Sequence, residues 1–279
     1  MRKLRFTLFT LLFCLTSFSV KGSGGEGEHD IATTLFHHVK NSSELELFPY
    51  LPAIPLPFGV TVHDLMLLIA SLVILGLFVP AFRRPSRKVS GIAVLLEAVV
   101  LFVRNDIVYP VMGKKRGDVW LPFFATLFLF IVTINYIGLI PAFKSATGNI
   151  NVTGALAAMV FLLIFSAGFK NLGVLGFFKN MFPHGTPKPI GFFIVFIETF
   201  GFFIKSAVLS IRLFANMFAG HMVILSLIAL IFIITPYFAV VSVPFAVFSF
   251  TLEILIAVIQ AFVFTLLSCV FINMAVTSH

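Results

Sequence analysis

Charged side chains are scarce in this sequence. Asp, Glu, Lys and Arg make up 11% of the 279 residues, and hydrophobic residues 59%. An ordinary soluble domain carries about 25% charged residues. With a mean hydropathy of +1.10, a soluble fold could not hide this much apolar surface, so lipid must solvate most of the chain. Cysteine is scarce too. Cys14 and Cys269 lie far apart in apolar stretches, which excludes a disulfide framework and a zinc site. No Gly-rich phosphate loop is present, so the chain should bind no nucleotide itself. There is no His-Glu-x-x-His motif and no paired nucleophile and base, which argues against an intramembrane hydrolase. Neither a cofactor nor a metal is expected. The net charge of +8 would suggest nucleic acid in a soluble protein. Here the basic residues flank apolar runs, which fits membrane topology better.

What is present begins with a basic start (Arg2, Lys3, Arg5), an apolar run and then small and polar residues. That is the layout of a secretory signal over residues 1–20, with a retained anchor as the alternative. "LLFC" at Cys14 resembles a lipoprotein site only loosely. Residues 21–60 read as an extracytoplasmic, loop-like segment with an acidic cluster and repeated prolines. His29, His37 and His38 there fit a solvated tail better than a metal site.

The membrane domain is read as 61–279. Its fold class is an all-α polytopic membrane protein, with about five transmembrane helices plus an amphipathic interfacial helix. The spans are about 62–81, 119–141, 153–169, 190–234 and 238–275. The first ends in "FRRPSRK", whose basic residues belong in the cytoplasm. Segment 89–112 carries Glu97, Arg104 and Asp106 between two basic clusters. A helix lying in the inner interface, or a shallow re-entrant piece, satisfies both clusters better than a full crossing does. "NINVT" contains an Asn-x-Thr glycosylation pattern at Asn151, short enough to arise by chance. The last two helices exceed a perpendicular crossing, which implies strong tilt. The N-terminus is then outside and the C-terminus cytoplasmic.

Intramembrane ionisable residues are costly and point to function. The last two helices hold Glu198, Lys205, Arg212, His221 and Glu253, with Asn216 and Gln260 as amides. Glu198, Lys205 and Arg212 are seven residues apart, nearly two turns each, so they share almost one face. Asn216 continues that stripe. His221 comes nine residues after Arg212, about half a turn away in angle. Glu198 to Arg212 spans about 21 Å of axis and Arg212 to His221 about 13 Å. The last helix runs the other way, which puts Glu253 near His221 and Gln260 nearer Arg212. His221 and Glu253 can exchange protons and could serve an outer passage. Glu198 could serve an inner one. Arg212, always charged, would stand between them as a barrier that attracts a carboxylate. The alternative is that these residues hydrogen-bond one another to fix helix packing. Lys205 could instead snorkel to the inner interface, and Asn216 and Gln260 fit packing as well as function.

"LSIRLFANMFAGHMVIL" at 209–225, "IETF" at 197–200 and "LEILIAVIQAFVFTLLSCVFINMA" at 252–275 closely resemble subunit a of the rotary F-type ATP synthase. "NYIGLIP" at 135–141 and "NINVTGALA" at 149–157 resemble its earlier spans in the same order. The resemblance implies a proton-translocating stator subunit in the bacterial plasma (inner) membrane. Its partners would be a ring of c subunits and the peripheral stalk b subunits. It implies that Arg212 is the essential ring-facing arginine and that His221 and Glu253 form the outer half-channel pair. Glu198 becomes the inner glutamate, with Asn216 and Gln260 as polar support. Catalysis would belong to the complex and not to this chain. An ion-coupled secondary transporter is the alternative; it would favour internal repeats, and no convincing repeat is present.

Overall fold

The computed structural model describes residues 61–83, 91–140, 145–182, 187–233 and 236–277. Upstream it describes only two dipeptides, Glu44–Leu45 (β1) and Ile54–Pro55 (β2), paired antiparallel. The expected signal at 1–20, most of the 21–60 segment and the basic cluster after Arg83 lie outside the described residues.

Seven α-helices follow. They are α1 (Val62–Arg83), α2 (Gly91–Phe102), α3 (Tyr109–Gly138), α4 (Ile150–Leu172), α5 (Val174–Asn180), α6 (Lys188–Ile233) and α7 (Ala239–Val276). A π-helical turn, Val103–Val108, joins α2 to α3. Five stretches are long and apolar enough to cross a membrane. The chain is therefore an all-α polytopic membrane protein.

Helices dominate because lipid offers no partner for backbone N–H and C=O groups. The same pressure acts on hydroxyls. Ser71, Thr126, Thr199 and Ser268 each donate to the carbonyl four residues earlier, at 2.7 to 2.9 Å.

A break in the helix falls next to residue 112, the expected end of the interfacial helix. Gly113 has φ 69° and ψ 169°, which breaks the helix within α3. A side-chain-bearing residue is strained at such a φ. The helix resumes at once, about one turn earlier than the expected span at 119. Tyr109 buttresses this corner. Its hydroxyl accepts from Arg104 Nε at 2.5 Å and donates to Asp118 Oδ1 at 2.7 Å.

The return span runs 150–172, longer than read from sequence, because Asn149 caps it. The Asn149 side chain accepts from the backbone N–H of Asn151 at 2.9 Å. Asn151 therefore sits in the first helical turn. Thr153 of the same pattern is buried and receives a hydrogen bond from Ser210 at 3.1 Å. "NINVT" is thus a helix start and an α4–α6 contact. The short helix α5 was not expected. It follows Gly173, whose φ of 72° ends α4.

Helix α7 forms the spine and packs against α6, α3 and α4, with α1 on the outer side of α3. Its C-terminal end is tied down three times. Asn273 donates to the Val111 carbonyl at 2.9 Å, Arg116 to Thr277 Oγ1 at 2.9 Å, and Asn180 to the Thr277 carbonyl at 3.1 Å. These bonds gather Lys114, Lys115, Arg116, Lys170 and Lys179 at one end of the molecule, all exposed. At 46 residues, α6 is about 69 Å long, more than twice a hydrocarbon core of about 30 Å.

Candidate functional site

The site is made where α6, α7 and α3 meet. Helices α6 and α7 form an antiparallel hairpin around the turn Pro236–Phe238. Ser242 Oγ donates to the Leu227 carbonyl at 2.6 Å and sets the register near that turn. Deeper along the seam, His221 Nδ1 lies 2.5 Å from Glu253 Oε1. This is the one ion-pair contact among the described residues. Glu253 is only 3% exposed.

The second ring nitrogen fixes the protonation logic. His221 Nε2 lies 2.9 Å from the Gly138 carbonyl oxygen. A carbonyl only accepts, so Nε2 carries a hydrogen and donates it. The Nδ1–Oε1 contact then needs one further proton between its two atoms. It resides on the carboxyl, leaving a neutral imidazole, or on the ring, leaving an imidazolium carboxylate pair. Glu253 Oε2 is buried and has no hydrogen-bond partner among the described residues.

Gly220 makes room for this pair, and Gly138 for the chain beside it. A Cβ on Gly220 would stand 2.7 Å from Glu253 Oε1, so the carboxyl rests against bare backbone. A Cβ on Gly138 would stand 2.8 Å from Ser145 Oγ. Asn135, one turn before Gly138, is buried and clamps α3 to α7. It donates from Nδ2 to the Ala257 carbonyl at 3.2 Å and accepts from Thr147 Oγ1 at 2.9 Å. Ala257 is one turn beyond Glu253. Leu139, Met217 and Ala257 form a small buried apolar cluster. Met217 precedes His221 by one turn, so this cluster lies on the Arg212 side of the pair.

The other sequence-derived residues stand apart. Arg212, Glu198, Asn216 and Gln260 are each half-buried. Among the described residues none of the four makes a side-chain hydrogen bond or ion pair. The packing alternative, in which these groups bond one another, holds only for His221 and Glu253. Lys205 has a different seat: its ammonium lies 5.0 Å from the Phe202 ring centre and 5.6 Å from that of Phe271. It bridges α6 and α7 through buried rings.

Sequence reasoning missed Asn135, Gly138, Thr147 and Gly220. The available signals were an amide inside the apolar run of "NYIGLIP" and a glycine immediately before the histidine. Neither titrates, so a search for charge passed over them.

A family model described as ATP synthase A chain matches residues 65–273. An ATP synthase subunit a 2 of Chlorobium luteolum is 40% identical over 91% of this chain and 78% of its own length. One of Prosthecochloris aestuarii is 38% identical over 91% and 82%. An ATP synthase subunit a of Chloroherpeton thalassium is 39% identical over 86% and 75%.

Proposed function

The chain belongs to the ATP synthase A chain family, and from that premise we propose that it is the proton-conducting stator subunit of an F-type synthase. In this reading it stands beside a ring of c subunits, held by peripheral stalk b subunits, in the bacterial inner membrane. It gives protons two routes that do not meet inside the chain. The basic end of the bundle is the cytoplasmic end by the positive-inside rule. His221 and Glu253 then serve the outer route and Glu198 the inner one.

The observation that carries the reading is the state of Arg212. A guanidinium cannot shed its charge, and keeping one at helix mid-depth costs at least about 2.5 kcal/mol. Among the described residues it has no counter-ion. A carboxylate passing on the ring would supply that partner. Beside Arg212 the surface of α6 is exposed at Ile211, Ala215 and Ala219, and the two alanines allow a second helix close approach.

The outer pair works as follows. Nε2 is committed to Gly138, so the exchangeable proton is the one shared by Nδ1 and Oε1. Oε2, without a partner among the described residues, is where that pair takes up or yields a proton to the route. Leu139, Met217 and Ala257 keep the short path towards Arg212 dry. The positive charge of Arg212 repels any proton that tries to pass directly between routes. Asn216 and Gln260 offer amides to the ring-facing route. Lys205, held between rings, adds positive field on the inner side.

The test is Arg212→Gln in the assembled complex, reconstituted in vesicles. ATP-driven proton pumping is lost while ATP hydrolysis by the detached soluble sector persists. Normal coupled pumping by this variant overturns the reading. The ion-coupled transporter has no observation in its favour.

A further inference from the structure

A second site lies at the basic end, away from the proton path. Phe178, Lys179 and Phe182, on and just after α5, face Phe192, Val195, Phe196 and Thr199 on the first turns of α6. Together they enclose a groove of about 620 Å³, within the range of about 300–1,000 Å³ typical of ligand sites. The α6 residues fall at i, i+3, i+4 and i+7, one stripe of the helix. Glu198 is turned about 100° from Thr199 and lies off this stripe.

The chemistry of the walls is uneven in a useful way. Thr199 spends its hydroxyl on its own helix, donating to the Val195 carbonyl at 2.8 Å. Lys179 is the one charged residue along an almost wholly apolar lining. Lys179 is exposed and pairs with no carboxylate among the described residues. Phe192 and Phe196 are 77% and 62% exposed, so two large rings await cover. The walls are also preformed. Phe177 seats α5 on Gly168, and Phe182 lies on Gly191, where even a Cβ would collide with its ring.

The setting adds charge of one sign. The bond from Asn180 to Thr277 places the groove at the end that carries Lys114, Lys115, Arg116 and Lys170. Asp118 at this end is already engaged by Tyr109. Basic pockets between helices at the cytoplasmic face suit anionic head groups. A partner helix would cover the rings but gives no reason for one unpaired cation at the rim. We infer that this groove binds an anionic phospholipid, its phosphate on Lys179 and one acyl chain along Phe192 and Phe196.

The experiment uses the purified assembly, stripped of lipid and offered phosphatidylglycerol or phosphatidylcholine, with retention read by native mass spectrometry. Wild type retains phosphatidylglycerol in preference, and Lys179→Glu lowers that preference about fivefold or more. Lys179→Arg keeps it, and Lys170→Glu, which lies outside the lining, lowers it less than Lys179→Glu does. An unchanged preference in Lys179→Glu overturns the proposal. A second measurement needs no variant: a density map of the assembly in nanodiscs containing both lipids. A forked head group at Lys179 supports the site. A protein helix, phosphatidylcholine or an empty groove there overturns it.

Discussion

His221 and Glu253 are 32 residues apart in the chain and share a proton across a 2.5 Å contact between two helices. Tyr237, in the turn of the hairpin, is sixteen residues from each. The pairing therefore follows from an antiparallel hairpin with nearly symmetric arms. Ser242 on Leu227 fixes that register near the turn, and Asn135 on Ala257 ties α7 to α3.

The first prediction concerns the shared proton. Glu253→Gln keeps a hydrogen-bonding side chain of the same length and removes its titration. Proton pumping should fall by on the order of 10², measured by acridine-dye quenching in inverted vesicles. The exchange His221→Glu with Glu253→His keeps one titrating pair and should recover part of the loss. Full pumping by Glu253→Gln alone counts against the pair as a proton carrier.

Gly220 offers a purely steric handle. In Gly220→Ala the new Cβ stands 2.7 Å from Glu253 Oε1, so the carboxyl must swing from the ring of His221. Conduction should drop several-fold at normal assembly, with a stability cost of about 1–3 kcal/mol. Pumping rate per assembled complex, set beside thermal melting, separates the two effects.

Asn135→Ala removes the second hydrogen bond to the Ala257 carbonyl and takes from the buried Thr147 hydroxyl its 2.9 Å acceptor, leaving the 3.3 Å contact to Ser145. The expected cost is about 1–3 kcal/mol, read as a lower melting temperature of the solubilised assembly. Asn135→Asp keeps an acceptor for Thr147 but gives up the donor to Ala257. It should fall between wild type and Asn135→Ala if the two bonds contribute separately.

The corner at Gly113 should resist any side chain. Gly113→Ala must hold φ near 69° at a strain of about 1–3 kcal/mol, or straighten the corner and pull on Arg116 and Val111. Either route weakens the ties to Asn273 and Thr277. Limited proteolysis should then cut the C-terminal end of α7 faster, and an unchanged digestion pattern would show the corner to be tolerant.

Much of the architecture was legible from hydropathy alone. The long helices at 190–234 and 238–275 match α6 and α7 to within two residues, because apolar runs flanked by Pro and polar residues leave a helix little latitude in lipid. The stripe Glu198–Lys205–Arg212 and the opposed His221 were legible too, since helical periodicity is a local property. The short helix α5 was not. Phe177 within it and Phe182 just after it pack against Gly168 and Gly191, contacts that no local pattern announces.

The sequence by itself determined that this chain lives in lipid, which helices cross it and which residues carry charge there. Only the tertiary structure decided what those charges touch. It joined His221 to Glu253 and Gly138 and left Arg212 without a counter-ion among the described residues. It also set Lys205 between two rings. The reason is physical: solvent preference and helical period act along the chain, whereas a hydrogen bond or its absence depends on distances between helices. Those distances are set by glycines and amides that carry no charge to draw attention.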